Sequence, residues 1–370
     1  MTARTKIRVC VVAPSLDING GQARQAICFL KALATEDEVQ ADFLPQNPRL
    51  PGPLRFLQGI RYVRTFATTV HYSCLLLARL RRYDVIHVYC ASYWSYLLSA
   101  IPPLAVAKLY GKKIILHYHS GEAEDHLTNW PRTTVPVMKK FDDIVVCSDY
   151  LKHVFAKFGL QSDSILNIVE IGRFCFRDRA PLQPRFMCSR LLEPLYNVGN
   201  VIRSFHIIQQ RIPQATLTIA ADGWQRPQLE ALVRELGLLH TRFLGFVPFD
   251  KMPDLYDAND IYLIGNDIDN MPAAVTESCA SGILLVTTNA GGIPYLVEHE
   301  KSALIVQVGD YQGLAREALR LLAEPELARR LARNARSRAE EFTWPRVREQ
   351  WLDLYRTLAQ EANSARYVEP

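Results

Sequence analysis

The sequence predicts an α/β protein of two domains, each built on a parallel β-sheet, and three observations lead there. The chain has 370 residues, more than one compact core usually absorbs. Short runs rich in β-branched residues alternate with longer amphipathic stretches, the pattern of buried strands joined by crossover helices. The same rhythm starts again after about residue 180. Together these give two domains of similar size.

In the first half, strands are expected at "IRVCVVAP", "DVIHVYC", "KKIILHYH", "DIVVCS" and "ILNIVE". Between the first two, Leu57, Ile60, Val63, Ala67, Val70, Cys74 and Leu77 recur at steps of three and four. That spacing predicts one helix over about 54–82, with this stripe packed on the first domain. The apolar stretch "YLLSAIPPLAVAKLY" is interrupted by Pro102-Pro103 and falls short of the roughly 20 residues a bilayer requires, so no membrane span is expected. "FRDRAPLQP", residues 176–184, is charged, proline-bearing and free of periodicity, and reads as a linker. In the second half the strands are expected at "RFMCSR", "ATLTIAA", "TRFLGFV", "DIYLIGN", "GILLVTT" and "ALIVQV". A charged helical tail follows, kinked or divided at Pro345. The expected domains are 1–178 and 179–344, with a helix over 345–370 packing back on the first.

Composition narrows the function classes. With 49% hydrophobic and 22% charged residues, this is a globular protein and not a disordered or fibrous one. The eight cysteines (10, 28, 74, 90, 147, 175, 188 and 279) show no zinc-binding spacing and several lie in apolar runs. They read as reduced and buried, in a cytoplasmic protein. The first residues run from a short polar lead into a strand, without the apolar core or cleavage site of a secretory signal. No GxGxxG follows the first strand and no GxxxxGK[ST] occurs anywhere, so hydride transfer and nucleoside triphosphate hydrolysis are poorly supported. A net charge of only +5 and the lack of a recognition motif argue against nucleic acid.

Ligands of parallel sheets collect beyond the carboxyl ends of the strands, so the residues just after each strand matter most. After the first strand, Gly20 and Gly21 open a helix whose backbone N–H groups could approach a phosphate; an ordinary glycine turn is the plain alternative. After "KKIIL" come His117 and His119, sent to one face by alternation, and His119 stands at the strand end. Arg190, Asp222-Gly223 and "NAGGIP" (289–294) follow three strands of the second half, the arginine offering either a phosphate-binding fork or a surface salt bridge. In "DNMPAAVTESCASG", Pro272 fits the first turn of a helix, Asn270 can cap it, and Glu277 lies more than one turn inside. Glu277 is then placed to accept from vicinal hydroxyls, while the helix start over Asn270, Met271, Pro272 and Ala273 faces a diphosphate. Asp269 lies nearer a sugar. A structural salt bridge for Glu277 and a competition of Asp269 with Asn270 for the cap are the alternative.

The motifs "NGGQARQA", "HYHSGEAEDHL", "SRLLEPLYNVGNVIRSF", "ADGWQRPQLE", "DNMPAAVTESCASG" and "TTNAGGIPYLVEHEKSALIVQVGD", in this order across nearly the whole chain, resemble the retaining glycosyltransferases of family 4. The resemblance implies the GT-B fold, two Rossmann-like doubly wound parallel-sheet domains facing a central cleft. It implies transfer of a hexose from a nucleotide sugar, UDP- or GDP-linked, to a glycan or lipid-linked acceptor, as in polysaccharide biosynthesis. It also implies that Glu277 binds the nucleotide ribose, that Asp269 stands by the donor sugar where the family usually has glutamate, and that Gly21 approaches the donor phosphates. His119 matches the histidine at the reacting sugar and Arg190 the arginine on the diphosphate. The family's usual lysine some five residues further on is missing, and Leu195, Tyr196 and Asn197 occupy that region. No cofactor and no metal are implied, since fixed positive charge and N–H donors stabilise the departing diphosphate. The alternatives are a non-catalytic nucleotide-sugar-binding protein and a sugar epimerase of the same fold.

From Phe43 to Tyr83 there are seven arginines and no acid. On a single helix, Arg61, Arg64, Arg79 and Arg82 fall within roughly 60° of one another and form a basic stripe. The stripe is either a solvated face or a surface for a charged acceptor or an anionic membrane, which would place the protein peripherally at the inner membrane face.

Overall fold

All the strand pairings of the structure, a computed structural model, are parallel. It describes residues 6–18, 20–177, 179 and 181–368; the polar lead at 1–5 lies outside them. The chain forms two units, residues 1–168 with 347–370, and residues 169–346.

In the first unit the chain runs β1 (Ile7–Ala13), α1 (Gly21–Leu33), β2 (Val39–Pro45), α2 (Val63–Arg79), β3 (Val85–Cys90), α3 (Tyr93–Leu109) and β4 (Lys113–Tyr118). It continues through α4 (Ala123–Asn129), α5 (Pro131–Met138), β5 (Asp143–Val146), α6 (Asp149–Lys157) and β6 (Asp163–Ser164). The sheet order is β2-β1-β3-β4-β5-β6, so the direction of winding reverses between β1 and β3. Strands β3 and β4 are buried almost throughout, which is why both appear in the sequence as largely apolar runs, broken only by His87 in β3 and by Lys113 and His117 in β4.

The second unit contains β7 (Arg185–Cys188), α7 (Val198–Arg211), β8 (Thr216–Ile219), α8 (Arg226–Glu235), β9 (Thr241–Phe243), α9 (Met252–Ala258) and β10 (Ile261–Ile264). After these come α10 (Ala273–Ser281), β11 (Leu284–Thr288), α11 (Ile293–Leu296), β12 (Leu304–Val306), α12 (Tyr311–Ala323) and α13 (Pro325–Ala339). Its order, β12-β11-β10-β7-β8-β9, reverses between β7 and β10. Phe186, Phe205, Leu217, Leu263, Val286 and Leu314 are core residues between this sheet and its helices. The last helix, α14 (Trp344–Val368), has Pro345 in its first turn and belongs to the first unit from residue 347 onward.

Several expectations are corrected here. Strand β2 went unpredicted because "VQADFLP" alternates exposed and buried positions at a sheet edge and shows no apolar run. "ILNIVE" is not a strand; the short β6 precedes it. Segment 176–184 is no free linker: Arg179 is buried, donating to the carbonyls of Tyr256, Asn259 and Ser281, and Arg177 pairs with Asp257 and Asp260. Asp178 and Ala180 of that segment lie outside the described residues. Pro102 and Pro103 do not interrupt α3, which runs through them. A proline at 103 cannot donate to the Ser99 carbonyl, and the Tyr72 hydroxyl does so instead at 3.0 Å. Among the described residues no helix is long and apolar enough to cross a membrane. All eight cysteines are free, but Cys74 and Cys175 are exposed, not buried.

Segment 54–82 differs most. A 3-10 helix covers Gly52–Gly59, the chain breaks at Tyr62 with φ 68°, and α2 begins at Val63. Its buried residues are Tyr72 and Leu76, while the predicted inner stripe of Val63, Val70, Cys74 and Leu77 faces solvent. Only Arg64 and Arg79 of the four-arginine stripe lie on α2; Arg61 precedes it and Arg82 closes the following 3-10 turn.

Candidate functional site

Each unit brings candidate residues to its own switch point, where strands wind away in opposite directions and leave a crevice at their carboxyl ends. In the second unit the two strands flanking that point are β7 and β10. Arg190 follows β7, and residues 266–269 follow β10. Arg190 Nη2 donates to Asp269 Oδ2 at 2.6 Å, and Asn266 Nδ2 donates to the same oxygen at 2.5 Å. The other oxygen, Oδ1, accepts the Asn270 N–H at 2.9 Å. The guanidinium lies over the Tyr196 ring, 4.4 Å from its centroid, and Arg190 Nε is buried without a partner among the described residues. Burial opposes the charge of Arg190, but Asp269 more than offsets this and raises its pKa above the usual arginine value.

Glu277 is buried at the fifth position of the nine-residue α10, and its Oε2 accepts the Tyr256 hydroxyl at 2.9 Å. Tyr256 is in turn stacked on Tyr262, whose hydroxyl accepts the Ser189 N–H at 2.8 Å beside Arg190. The cap position of α10 is taken by Pro272, not Asn270, and no side chain caps it. Asn270 is buried instead, with its carbonyl against Gly292: a Cβ there would lie 2.2 Å from Asn270 O. Met271 is buried and Ala273 is the first residue of α10, so the helix start presents backbone N–H groups with no acid in its first turn.

Asp222 Oδ1 accepts the Gly223 N–H at 2.8 Å, and Arg226 reaches the other oxygen at 3.3 Å. Gly223 approaches the loop after Arg190 so closely that a Cβ would sit 2.5 Å from Leu192 O. It therefore seats that loop. Contrary to the expectation that neither half carries an Asp-x-Asp pair for a divalent ion, Asp267-Ile268-Asp269 has that pattern. In the structure both Asp267 oxygens accept from Asn197 Nδ2, at 2.9 and 3.1 Å, while Asp269 is engaged by Arg190. Among the described residues no group of three or more His, Cys, Asp or Glu could hold a metal. Tyr196, Asn266 and Tyr256 were also missed; an aromatic where a cation was expected was the one signal available, at Tyr196.

In the first unit, Gly20 and Gly21 stand at the N-terminus of α1, behind β1 at the switch point. Gly20 is extended, and a Cβ on either glycine meets nothing within 4 Å, so no neighbour within the chain demands glycine there. His119 follows β4, its N–H donating to the Cys90 carbonyl at the end of β3. Its ring stacks on Tyr89 at 4.6 Å between centroids and touches His117 at 4.0 Å. His117 Nδ1 and His87 Nε2 share a hydrogen bond of 2.9 Å, and His87 Nδ1 shares one of 2.7 Å with the Tyr355 hydroxyl of α14. His87 is further stacked on Trp351. Burial pushes His119 and His87 down to about 3 and lowers His117 well below the usual histidine value, so all three rings are neutral near pH 7. His119 Nε2 and His117 Nε2 are both buried without a partner among the described residues. Beyond it Ser92 Oγ donates to Glu122 and meets Ser120 Oγ at 3.0 Å.

Comparison with known proteins follows the same division. Residues 180–338 match the family described as glycosyl transferases group 1. The chain is 26% identical over 291 residues to glycogen synthase of Mycobacterium tuberculosis, across 74% of this chain and 69% of that protein. Alr3699/HepE of Anabaena, solved in complex with UDP and glucose, superposes with a TM-score of 0.75 at 16% identity, covering 95% of this chain and 100% of that one. Sucrose-phosphate synthase of Thermosynechococcus elongatus gives a TM-score of 0.78 at 20% identity, covering 95% and 99%. The chain thus has the GT-B fold of two parallel six-stranded sheets, and its second unit carries the sequence of a glycosyl transferases group 1 domain.

Proposed function

We propose that this protein is a retaining hexosyltransferase of glycosyltransferase family 4, moving a sugar from a UDP- or GDP-sugar to a glycan or lipid-linked acceptor. The observation that carries the reading is the convergence of Arg190, Asp269 and the α10 start at the switch point of the second unit, with Glu277 buried behind it. A nucleoside diphosphate needs that combination: fixed positive charge and open N–H groups for its phosphates, and a carboxylate for its ribose hydroxyls. When the bond from sugar C1 to the diphosphate oxygen breaks, its electron pair leaves on the diphosphate, where Arg190 and the helix start stabilise it. The acceptor hydroxyl oxygen then bonds C1, and its proton passes to the departing diphosphate oxygen. His119, neutral and with Nε2 uncommitted, is suited to hold a sugar hydroxyl and not to carry a proton. The solved Anabaena relative in fold holds UDP and glucose, which agrees with a nucleotide-sugar donor. Eight free cysteines fit a cytoplasmic enzyme.

The second reading, a nucleotide-sugar-binding protein without turnover, draws on Tyr196 in place of the usual lysine and on the neutralisation of Arg190 by Asp269. Incubation with UDP-, GDP- and ADP-sugars and a panel of glycan acceptors, with donor loss and product anomer followed by NMR, separates the two. Donor consumption with retained configuration, insensitive to EDTA, is expected. Binding without any donor loss establishes the second reading, and EDTA inhibition relieved by manganese overturns the metal-free mechanism.

A further inference from the structure

The 3-10 helix Gly52–Gly59 and α2 expose a continuous apolar surface that no other described residue covers. Phe56, Tyr62 and Phe66 are 66%, 76% and 73% exposed, and Val63, Val70 and Leu77 continue the strip along α2. At 100° per residue these α2 positions lie roughly 120–180° round the helix from the buried Tyr72, so the strip is the outward face and not a frayed edge of the core. From Val63 to Leu77 it runs about 20 Å at 1.5 Å per residue. The flanking segment is tied down and not a loose arm. Gln58 Nε2 donates to Pro48 O and Thr68 Oγ1, and its Oε1 accepts the Leu50 N–H.

Charge is arranged around this strip with one sign. Arg55, Arg61 and Arg64 stand at its N-terminal end, and Arg79, Arg81 and Arg82 at its C-terminal end. The nearest sequence holds no acid from Phe43 to Tyr83, and only Arg49 of its seven arginines has an ion-pair partner, Asp17, among the described residues. Arg61 lies over the Tyr62 ring, 5.1 Å from its centroid. A second copy of the chain is a poor occupant, because a two-fold contact through this face would set arginines against arginines. Aromatic and aliphatic side chains bounded at both ends by uncompensated arginines suit a helix lying in the plane of a lipid interface: the apolar face enters the acyl boundary and the guanidinium groups stay at the phosphates. We propose that this face docks the protein on an anionic membrane surface. The proposal is independent of sugar transfer and stands or falls on its own test.

The test is sedimentation of the full chain with vesicles of phosphatidylcholine alone or mixed with phosphatidylglycerol, at low and high salt. Phe56→Ser/Phe66→Ser and Arg61→Gln/Arg64→Gln serve as variants, their folding checked by unchanged thermal unfolding. Binding to the phosphatidylglycerol vesicles at low salt, release by high salt, and a loss of about tenfold or more in partitioning for each double variant are expected. Absence of wild-type binding, equal binding to neutral vesicles, or unchanged binding by either variant overturns the proposal. So does a dimer in sedimentation velocity that the phenylalanine variant abolishes, since that outcome gives the face to a second copy.

Discussion

Asp269 accepts from three donors at once: the Arg190 guanidinium, the Asn266 amide and the Asn270 N–H. The carboxylate therefore holds Arg190 in place and also offsets its charge, so in the proposed function a diphosphate competes with Asp269 for the guanidinium. Asp269→Asn keeps the shape and removes the competitor. It is expected to leave nucleoside diphosphate affinity equal or stronger while turnover falls at least about tenfold, measured by calorimetry and donor consumption. A matching loss of affinity would place Asp269 on the nucleotide itself. His119 makes a different claim. Its ring sits in a stack of Tyr89 and His117 with a pKa pushed down to about 3, so in the proposed function it serves as a neutral hydrogen-bonding group. His119→Ala should lower kcat far more than donor affinity, and the wild-type rate should show no ionisation near pH 6.5 that the variant lacks. Such an ionisation would mean that the ring titrates in the working enzyme.

At the scale of elements, close backbone approaches fix the site more than the side chains do. Gly292 lets the turn before α11 lie against the Asn270 carbonyl, and Gly292→Ala drives a Cβ to 2.2 Å from that oxygen. The variant is expected to lose about 1–3 kcal/mol of stability and, by moving residues 269–272, to lose nucleotide binding as well. A stable variant with full affinity would show that the turn yields without disturbing the site. These approaches explain what the sequence showed and what it hid. Strands β3, β4, β10 and β11 were legible because both of their faces are buried and every residue is apolar or nearly so. The placement of Arg190 and His119 just after strands, and of Glu277 inside a helix, was legible. Strand β2, half exposed at an edge, left no such trace. The stripe on α2 had the right period and the wrong face, because periodicity reports that one side is apolar and not what covers it. Asn266, and the contact of Tyr196 with Arg190, were hidden for a related reason: these residues touch Asp269 and Arg190, and no spacing in the sequence encodes such a contact.

For the whole molecule, the buried histidines couple stability to pH. His87 and His119 have folded-state values of about 3 against 6.5 for an ordinary histidine, both through burial. Above pH 6.5 these histidines are mostly unprotonated in both the folded and the unfolded chain and contribute little to the pH dependence of stability. Below it the unfolded chain takes up protons that the folded one refuses, so stability falls progressively from about pH 6.5 towards about pH 3, by about 1 kcal/mol per histidine per pH unit once well below 6.5. Urea unfolding at pH 7.5 and 5.0, followed by the fluorescence of the first unit's tryptophans, should show this loss, and His87→Phe should reduce it if the variant folds. A midpoint independent of pH in that window would mean that the histidines are hydrated in solution. The central claim, that the second unit binds a nucleotide-sugar donor through Glu277, is tested most directly by calorimetric titration of UDP and GDP into the wild type and Glu277→Gln. The account predicts that one of the two nucleotides binds the wild type and that the variant, folded to the same thermal midpoint, binds it about tenfold or more weakly; failure of both nucleotides to bind, or equal binding by the variant, would contradict it.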